Sequence, residues 1–401
     1  MTGRNLWEEE FNSITDHALE QLGVDTKTQR MDSSFVGSFI KKMSRLEIAV
    51  KVLQNFYKEL PEEEQKRWQT LLAEYLEEEA QHLSFRLKRA EVEMHLTKVG
   101  EWLFKLYEAY SGDEDITDLQ SYCHLGRVLQ EQYLVTKTKE ETVIAVKPAK
   151  EISASALQNP ADDIATFRRK GDEEHQGYVF NVAETCSLSN PVQLLTDVSL
   201  YPNVISDEVI AAERVPEITE RMEVKEMITD AGFTGEASEK VCDTEGVTLI
   251  PTEVKGRKLS EDGLSLKDFQ FAEGKIVACP VGQPPAREIH NEGKERWVVR
   301  FSPEQCGNCP MTGRCPVRER QKFYSLYFTD RQLVVARRRQ TLDQEDYREK
   351  CRLRPAVEGT VSQFKQRTHN GKLKVRGYQR VRNVIITMAI GINFGRIWAC
   401  L

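Results

Sequence analysis

The order of strand-like and helical segments is the feature that most limits how this chain can fold. Alternating apolar and polar residues predict a strand at 29–37, and apolar residues at helical spacing then predict helices from Arg45 to about Val135. Strand-like runs return only at 177–183 and 192–200. Strands so far apart can share one sheet only if the residues between them form an insertion. We therefore predict an α/β fold, in which a mixed sheet packs with helices and carries an all-helical insertion after its first strand.

The segment that begins at Ser206 predicts a helix followed by a strand that ends in an acid. Ser206 is a good N-cap, and the helix should reach about Met222. The apolar run 224–230 predicts a strand, and its last residue, Asp230, precedes a glycine-bearing turn. Ligands of open α/β sheets bind beyond the carboxyl ends of strands. Asp230 is thus predicted at a ligand-binding edge, and Asp32 on a neighbouring strand.

Finer boundaries follow from the same patterns. Helices are expected at about 63–96, 98–110 and 117–134, residues 136–172 are predicted to be irregular, and helices should return from Asp343. The predicted parts are an N-terminal helix with the first strand at 1–44, the helical insertion at 45–145, core strands and a helix at 146–242, a β-rich insertion that contains cysteines at 243–330, and a C-terminal helical part at 331–401.

Composition indicates a globular protein outside membranes. The charged fraction is 30% and the mean hydropathy is −0.52. We find no apolar run long enough to span a bilayer and no signal-peptide core at the N-terminus. We therefore expect a cytoplasmic protein without a membrane partner.

Positive charge is concentrated near the C-terminus although the net charge is −7. Between Arg314 and Arg382 there are 19 Lys and Arg but only 7 Asp and Glu. Such a local excess predicts contact with nucleic-acid phosphates, whatever the global charge. The alternative is a basic helical face exposed to solvent.

One carboxylate, Glu358, lies within this basic stretch on a predicted helix, between Arg354 and Lys365. Carboxylates are the hard oxygen ligands that Mg²⁺ prefers, and paired Mg²⁺ ions catalyse in-line displacement at phosphorus. Together with Asp32 and Asp230, Glu358 could complete such a set. Any three acids can be chosen from 63, so only the local context of each supports the choice.

That context resembles the DDE transposases of bacterial insertion sequences. The segment around Asp32, Asp-Ser-Ser before a Lys/Arg stretch, is similar to the family's first-Asp region, and 224–235 is similar to its second-Asp strand. The spacing Arg354, Glu358, Lys365 matches the family's Glu motif, although Cys351 occupies the position of its tyrosine.

The resemblance implies an RNase H-like fold in which Asp32, Asp230 and Glu358 bind Mg²⁺ or Mn²⁺. It implies DNA cleavage at the ends of an insertion sequence, strand transfer into target DNA, and a homodimer on double-stranded DNA at the nucleoid. The residues expected to contact DNA are Arg354, Lys365, Arg367, Lys372, Lys374 and Arg376.

Two alternatives remain open. The short segment before Asp32 and the cysteine at 351 would also suit a truncated, inactive remnant that only binds DNA. A metal-dependent nuclease would use the same three carboxylates without strand transfer.

Four cysteines, Cys279, Cys306, Cys309 and Cys315, predict a structural Zn²⁺ site. Four thiolates can close a tetrahedral site, and the two-residue spacing from Cys306 to Cys309 is that of a zinc knuckle. His290 is a substitute ligand, and free thiols are the alternative.

Overall fold

The computed structural model describes residues 5–77, 87–138, 141–254, 263–272 and 274–401. The chain forms two compact units. The first unit comprises Met1–Thr26, Met31–Ser206 and Glu358–Leu401, and the second comprises Lys27–Arg30 and Asp207–Val357.

The described elements form a mixed α/β structure, as predicted. The helices are α1 (Leu6–Gln21), α2 (Arg45–Glu59), α3 (Glu62–Leu76), α4 (Arg89–Ala109), α5 (Glu114–Thr117), α6 (Gln120–Gln132), α7 (Asp207–Thr219), α8 (Glu236–Glu245), α9 (Pro303–Gly307), α10 (Asp330–Leu342), α11 (Glu345–Cys351), α12 (Pro355–Gln366) and α13 (Tyr378–Cys400). The strands are β1 (Thr28–Gly37), β2 (Tyr133–Lys137), β3 (Thr142–Val146), β4 (Thr166–Lys170), β5 (Glu173–Thr185), β6 (Leu195–Pro202), β7 (Glu226–Thr229), β8 (Thr248–Pro251), β9 (Gln270–Ala272), β10 (Lys275–Ala278), β11 (Arg287–Asn291), β12 (Arg296–Phe301), β13 (Arg318–Glu319) and β14 (Tyr324–Thr329).

In the first unit, helices α2 to α6 surround a hydrophobic core of their own. Leu53, Phe56, Leu103 and Val128 are among its fully buried side chains. A capping box at Ser44 fixes the start of α2. Amphipathic helices on both sides of this core explain why helical periodicity is so clear in the sequence.

Several predicted boundaries in this block are wrong. The segment 63–96 is not one helix, because α3 ends at Leu76 and α4 begins at Arg89, and α4 continues without a break through the boundary predicted at 97. Gly100 in α4 is a packing residue: a Cβ there would lie 2.3 Å from a ring carbon of Tyr133. In place of the predicted helix at 117–134, the shorter α6 follows the separate helix α5, and the chain then turns into strand β2 at Tyr133. The region predicted to be irregular contains the antiparallel pair β2–β3 and strand β4.

The sheet of the first unit has the order β4–β5–β1, and β6 also pairs with β5. Strands β4, β5 and β6 are antiparallel to one another in these pairs. Helices α1 and α13 pack on each other and on β6. The side chain of Asn393 on α13 accepts from the N–H of Leu195 (2.8 Å) and donates to its carbonyl oxygen (2.9 Å).

Helix α13 corrects one expectation. By length and composition alone it could cross a membrane, so the statement that no apolar run is long enough is wrong. Its packing against α1 and β6, with the buried polar contact of Asn393, is that of a helix on a sheet.

In the second unit, strand β7 is parallel to β8 and to the first residues of β1. The register places Arg30 opposite Ile228. Farther along, the antiparallel sheet β11–β12–β14–β13 and the hairpin β9–β10 lie within the segment 243–330. Helix α10 begins at Asp330 rather than at Asp343, because Thr329 caps it in a capping box with Gln332.

Candidate active site

Asp230 lies directly after β7, at the carboxyl end of a parallel strand. Its Oδ1 accepts a hydrogen bond from the backbone N–H of Gly232 (2.6 Å), which caps a short 3₁₀ turn. The guanidinium of Arg354 lies 4.0 Å from Oδ2. Asp230 is therefore oriented by a backbone donor and a nearby cation while 39% of its side chain stays exposed. A carboxylate in this position can bind a further group, such as a cation.

A second carboxylate, Asp207 at the start of α7, lies beside the same turn. A Cβ at Gly232 would lie 2.7 Å from Oδ2 of Asp207 and 2.7 Å from Oδ1 of Asp230. The missing side chain thus lets both carboxylates approach the backbone. In the sequence Asp207 has only the pattern of an acid in the first turn of a helix, so its place beside Asp230 was not predicted.

Asp32 lies within β1, in the first unit, and is buried to 8% exposure. Its Oδ1 accepts from the N–H of Ser33 (2.9 Å). Asp32 belongs to the first unit, whereas Asp230 belongs to the second.

Glu358 lies in the first turn of α12 and is exposed. Lys365, seven residues later, is close to two helical turns away and so lies on the same exposed face. The adjacent face of the helix buries Val361 and Phe364, and the ring of Phe364 is 5.0 Å from that of Phe180 on β5. The apolar face thus fixes which way Glu358 and Lys365 point.

A buried ion pair anchors α12 two residues after Glu358. Glu184 on β5 is fully buried and accepts from Thr360 Oγ1 (2.7 Å) and from Arg396 Nη1 (2.8 Å). Arg396 on α13 also donates to Thr360 and to the carbonyl oxygen of Gln193. No sequence pattern indicated this network, because its members are 36 to 212 residues apart.

The segment after α12 is attached to the end of β1 by backbone hydrogen bonds. The N–H of Gly37 donates to the carbonyl oxygen of Gly371 (2.8 Å), and that of Leu373 donates to Gly37 (2.9 Å). Phe39 donates in the same way to Val375 (2.8 Å). The strand that carries Asp32 therefore also positions the loop that follows α12.

Buried Asp162 fixes the far end of this loop. It accepts hydrogen bonds from the hydroxyl groups of Ser38 and Tyr178 and from the N–H of Gly377 (2.8 Å). Burial, followed by this bond to Asp162, raises the pKa of Tyr178 and keeps its hydroxyl a donor.

Five cations of the loop and of α12, which we call the downstream cations, are exposed: Lys365, Arg367, Lys372, Lys374 and Arg376. In the described part of the chain, none of them forms an ion pair with a carboxylate. Arg367 and Lys372 instead donate to backbone carbonyl oxygens. Arg376 also lines a cavity of about 190 Å³ with Lys41 and Lys51.

The cations before Glu358 have the opposite environment. We call Arg338, Arg348, Lys350, Arg352 and Arg354 the upstream cations. Each lies next to a carboxylate of the second unit; the partners, in the same order, are Glu239, Asp343, Glu226, Glu345 and Asp230.

On the sheet of the first unit, an imidazole and a guanidinium lie against the ring of Phe35. The ring of His175 stacks on Phe35 (4.2 Å), and the guanidinium of Arg168 lies 5.6 Å from the same ring. Burial lowers the pKa of His175, Glu173 opposes this, and Lys170, Lys365 and Arg168 lower it further. Phe35 faces away from Asp32, since strand side chains alternate.

The predicted cysteine ligands come together in the second unit. Cys279, Cys306, Cys309 and Cys315 all line one cavity of about 30 Å³. Burial, followed by the other three thiols, raises the pKa of Cys306 to about 11. His290 lies elsewhere, stacked on Trp297 (4.1 Å) and 3.1 Å from the Asp330 carboxylate.

The positions of the side chains limit where the described residues could bind a metal ion. Among the described residues, no three His, Cys, Asp or Glu side chains stand close enough together to hold a metal ion. Near the Glu motif, Tyr347 donates to the carbonyl oxygen of Pro251 (3.1 Å), and Cys351 is half-buried.

Comparison with known proteins gives one match. Residues 278–398 match the family model described as the transposase DDE domain. The chain is thus similar to DDE-type transposases. The matched part contains Glu358, the downstream cations and the four clustered cysteines, whereas Asp32 and Asp230 precede it. No curated protein and no solved structure matches the chain.

The match confirms the resemblance that the Glu motif predicted. DDE-type transposases act on nucleic acid by phosphoryl transfer and generally use divalent metal ions. A DNA substrate is therefore the partner that the family implies for this chain.

Proposed function

We propose that this chain is a DDE transposase with an RNase H-like core that cleaves DNA at the ends of an insertion sequence and joins them to target DNA. The observation that carries the proposal is the match of 278–398 to the transposase DDE domain, with Glu358 and Lys365 at the spacing of the family's Glu motif. The two alternatives, a DNA-binding remnant and a nuclease, are outcomes of the test below.

Asp32, Asp230 and Glu358 are the ligands that we propose for Mg²⁺ or Mn²⁺. Three carboxylates fit such an ion by the chemistry of the donor set. A bound divalent cation would activate the attacking oxygen and stabilise the leaving oxygen at phosphorus. One observation supports the choice: Asp230 directly follows a parallel strand, where ligands of open α/β sheets bind.

Other side chains would orient the reacting groups. The N–H of Gly232 and the guanidinium of Arg354 hold Asp230, and we therefore add a positioning role to the predicted phosphate contact of Arg354. The buried bond from Thr360 to Glu184 fixes the helix that carries Glu358. The exposed downstream cations would bind DNA phosphates.

In this proposal the protein acts as a homodimer on double-stranded DNA, because an insertion sequence has two ends to be joined. It would act in the cytoplasm at the nucleoid, where its DNA substrate lies.

The test uses the full chain, Mg²⁺ or Mn²⁺, and DNA that carries the inverted repeats flanking its gene. We expect nicking at those ends and joining to a second DNA. Asp230→Ala should lower both rates by about 10³-fold or more, because several kcal/mol of charge stabilisation are lost. DNA binding should persist, since one negative charge is removed. Asp243→Ala, which changes an exposed acid on α8, should keep full activity.

Each alternative has its own outcome. Nicking without joining would favour the nuclease, and salt-sensitive binding without nicking would favour the remnant. Activity that survives Asp230→Ala would remove Asp230 from the proposed metal site.

A further inference from the structure

The cavity lined by four cysteines in the second unit has a composition that sets it apart from the other cavities. Its remaining lining consists of apolar side chains and two glutamines, without an Asp, Glu, Lys, Arg or His among the described residues. The lining side chains beside the thiols include Leu264, Val281, Phe301, Gln305, Met311 and Val317. Four thiols that line one apolar pocket are the ligand set of a soft metal ion.

Two separate segments deliver the thiols. Cys279 follows β10 in a tight turn, in which the N–H of Gly282 donates to the carbonyl oxygen of Cys279 (2.8 Å). In the same turn the N–H of Gln283 points at Cys279 Sγ (3.4 Å). A backbone N–H that points at a cysteine sulfur supports a negatively charged thiolate and orients it, as second-shell donors of metal sites do.

The other three thiols come from one short segment at the end of β12. Cys306 lies in α9, which a capping box at Ser302 starts, and the N–H of Cys309 donates back to the carbonyl oxygen of Cys306 (3.2 Å). The N–H of Cys315 donates to the carbonyl oxygen of Met311 (2.9 Å). These turns place Cys306, Cys309 and Cys315 along the cavity that Cys279 also lines.

The geometry points to a binding site for one soft divalent metal ion, Zn²⁺, held by Cys279, Cys306, Cys309 and Cys315. The cavity of about 30 Å³ suits a single ion, because one water-sized sphere needs roughly 10–15 Å³. Sulfur ligands select Zn²⁺ over Mg²⁺. The thiols do not yet stand at ligand spacing. Metal binding would therefore require a change of side-chain rotamer at cysteines of the cavity.

The site would brace the β-rich part of the second unit. Its two segments flank the β11–β12 hairpin, so a shared ion closes a loop that otherwise depends on a small core around Phe269, Phe301 and Phe328. All four thiols are reduced in the structure, which leaves them available as ligands. This inference is independent of the proposed function, because none of its ligands belongs to the Asp32, Asp230 and Glu358 set.

The test measures metal in the purified full chain, prepared with a thiol reductant and without chelators. We expect one zinc ion per chain by mass spectrometry. After exchange for Co²⁺, we expect the thiolate-to-cobalt charge-transfer absorption and the visible bands of a tetrahedral sulfur site.

Variants identify the ligands. Cys306→Ser and Cys315→Ser should weaken metal binding by about 100-fold or more, whereas Cys351→Ser, at a half-buried cysteine of the same unit outside the cavity, should leave it unchanged. Should the serine variants fail to fold, the cobalt spectrum of the unmodified chain decides alone. Less than stoichiometric zinc together with no thiolate–cobalt absorption would overturn the inference, and so would equal metal loss in Cys351→Ser.

Discussion

The upstream and downstream cations differ in what faces them. Arg338, Arg348, Lys350, Arg352 and Arg354 each lie next to a carboxylate of the second unit. In the described part of the first unit, the five downstream cations lie next to none. In the sequence both groups belong to one basic stretch.

The difference shows that the number of basic residues does not by itself mark a DNA surface. A cation that the protein's own carboxylates neutralise adds little to the external field, whereas an uncompensated one adds its full charge. The phosphate contacts expected of the downstream cations are therefore still supported. At Arg354, the carboxylate of Asp230 would compete with a phosphate for the guanidinium.

The largest effect is expected on stability at the pair Glu184–Arg396, in which a fully buried carboxylate neutralises the cation. Glu184→Ala should lower the free energy of unfolding by about 3 kcal/mol, because it removes the carboxylate partner of the partly buried Arg396 and leaves Thr360 without its acceptor. The exposed pair Asp343–Arg348 should contribute less than about 1 kcal/mol when Asp343 is replaced by alanine. Urea unfolding of both variants makes the measurement. Equal losses would show that burial does not distinguish these pairs.

The next effect concerns DNA affinity. Replacing Lys372, Lys374 and Arg376 together by alanine should weaken binding about 100-fold at 0.1 M salt and lower the salt-dependence slope by about 2–3. The matched triple variant at Arg348, Lys350 and Arg352 should leave the slope unchanged, because carboxylates already neutralise those cations. Fluorescence anisotropy at several salt concentrations measures both. A lower slope in the upstream variant would show that the upstream cations also contact DNA phosphates.

A smaller effect is expected at Gly232, which tests whether the carboxylate paired with Arg354 is functional. Gly232→Ala should slow DNA cleavage about tenfold, because the new Cβ would lie 2.7 Å from the carboxylate oxygens of Asp207 and Asp230 and displace them. Stability should change little, since side-chain ends can move. Gly293→Ala, with more space, is the control. Unchanged cleavage would show that the position of Asp230 is not critical.

The smallest effect is expected on the titration of His175, whose pKa Lys365 helps to lower. The pKa of His175 is lowered, so the folded state binds fewer protons there than the unfolded chain, and stability falls as the pH drops below the ordinary histidine value of about 6.5. Lys365→Ala should raise the pKa of His175 and reduce this loss, because Lys365 is one of the cations that lower it. NMR titration of the ring proton measures it. Arg380→Ala, which removes a cation outside this group, should have no effect.

The sequence predicted elements whose pattern is local and missed those that depend on distant partners. Strand β7 with Asp230 at its end follows from an apolar run before a turn, and the structure has it there. Helix α10 was predicted too late because Arg337, Arg338 and Arg339 hide its narrow apolar face, where Leu333 and Ala336 are buried. Gly100 could not be recognised as a packing residue without Tyr133 beside it.

The candidate site was predictable in part for the same reason. Motif spacing predicted Asp32, Asp230, Glu358 and the basic residues around them as site residues, and these assignments stay predictions. It could not show which cations are neutralised, because Glu226 and Lys350 are 124 residues apart in the chain. Asp207 and Glu184 were missed because nothing in their neighbourhood indicates the distant groups that they contact.

The backbone bonds between Gly37, Phe39 and the loop after α12 have one more consequence. Main-chain groups make these bonds, and every residue type except proline supplies both a donor and an acceptor. The path of the loop therefore depends on these main-chain bonds and on the positive φ of Gly371 and Gly377, not on the exposed ends of Lys372, Lys374 and Arg376. These three cations, and with them the proposed DNA contacts, can be exchanged one at a time while the strand that bears Asp32 keeps its bonds.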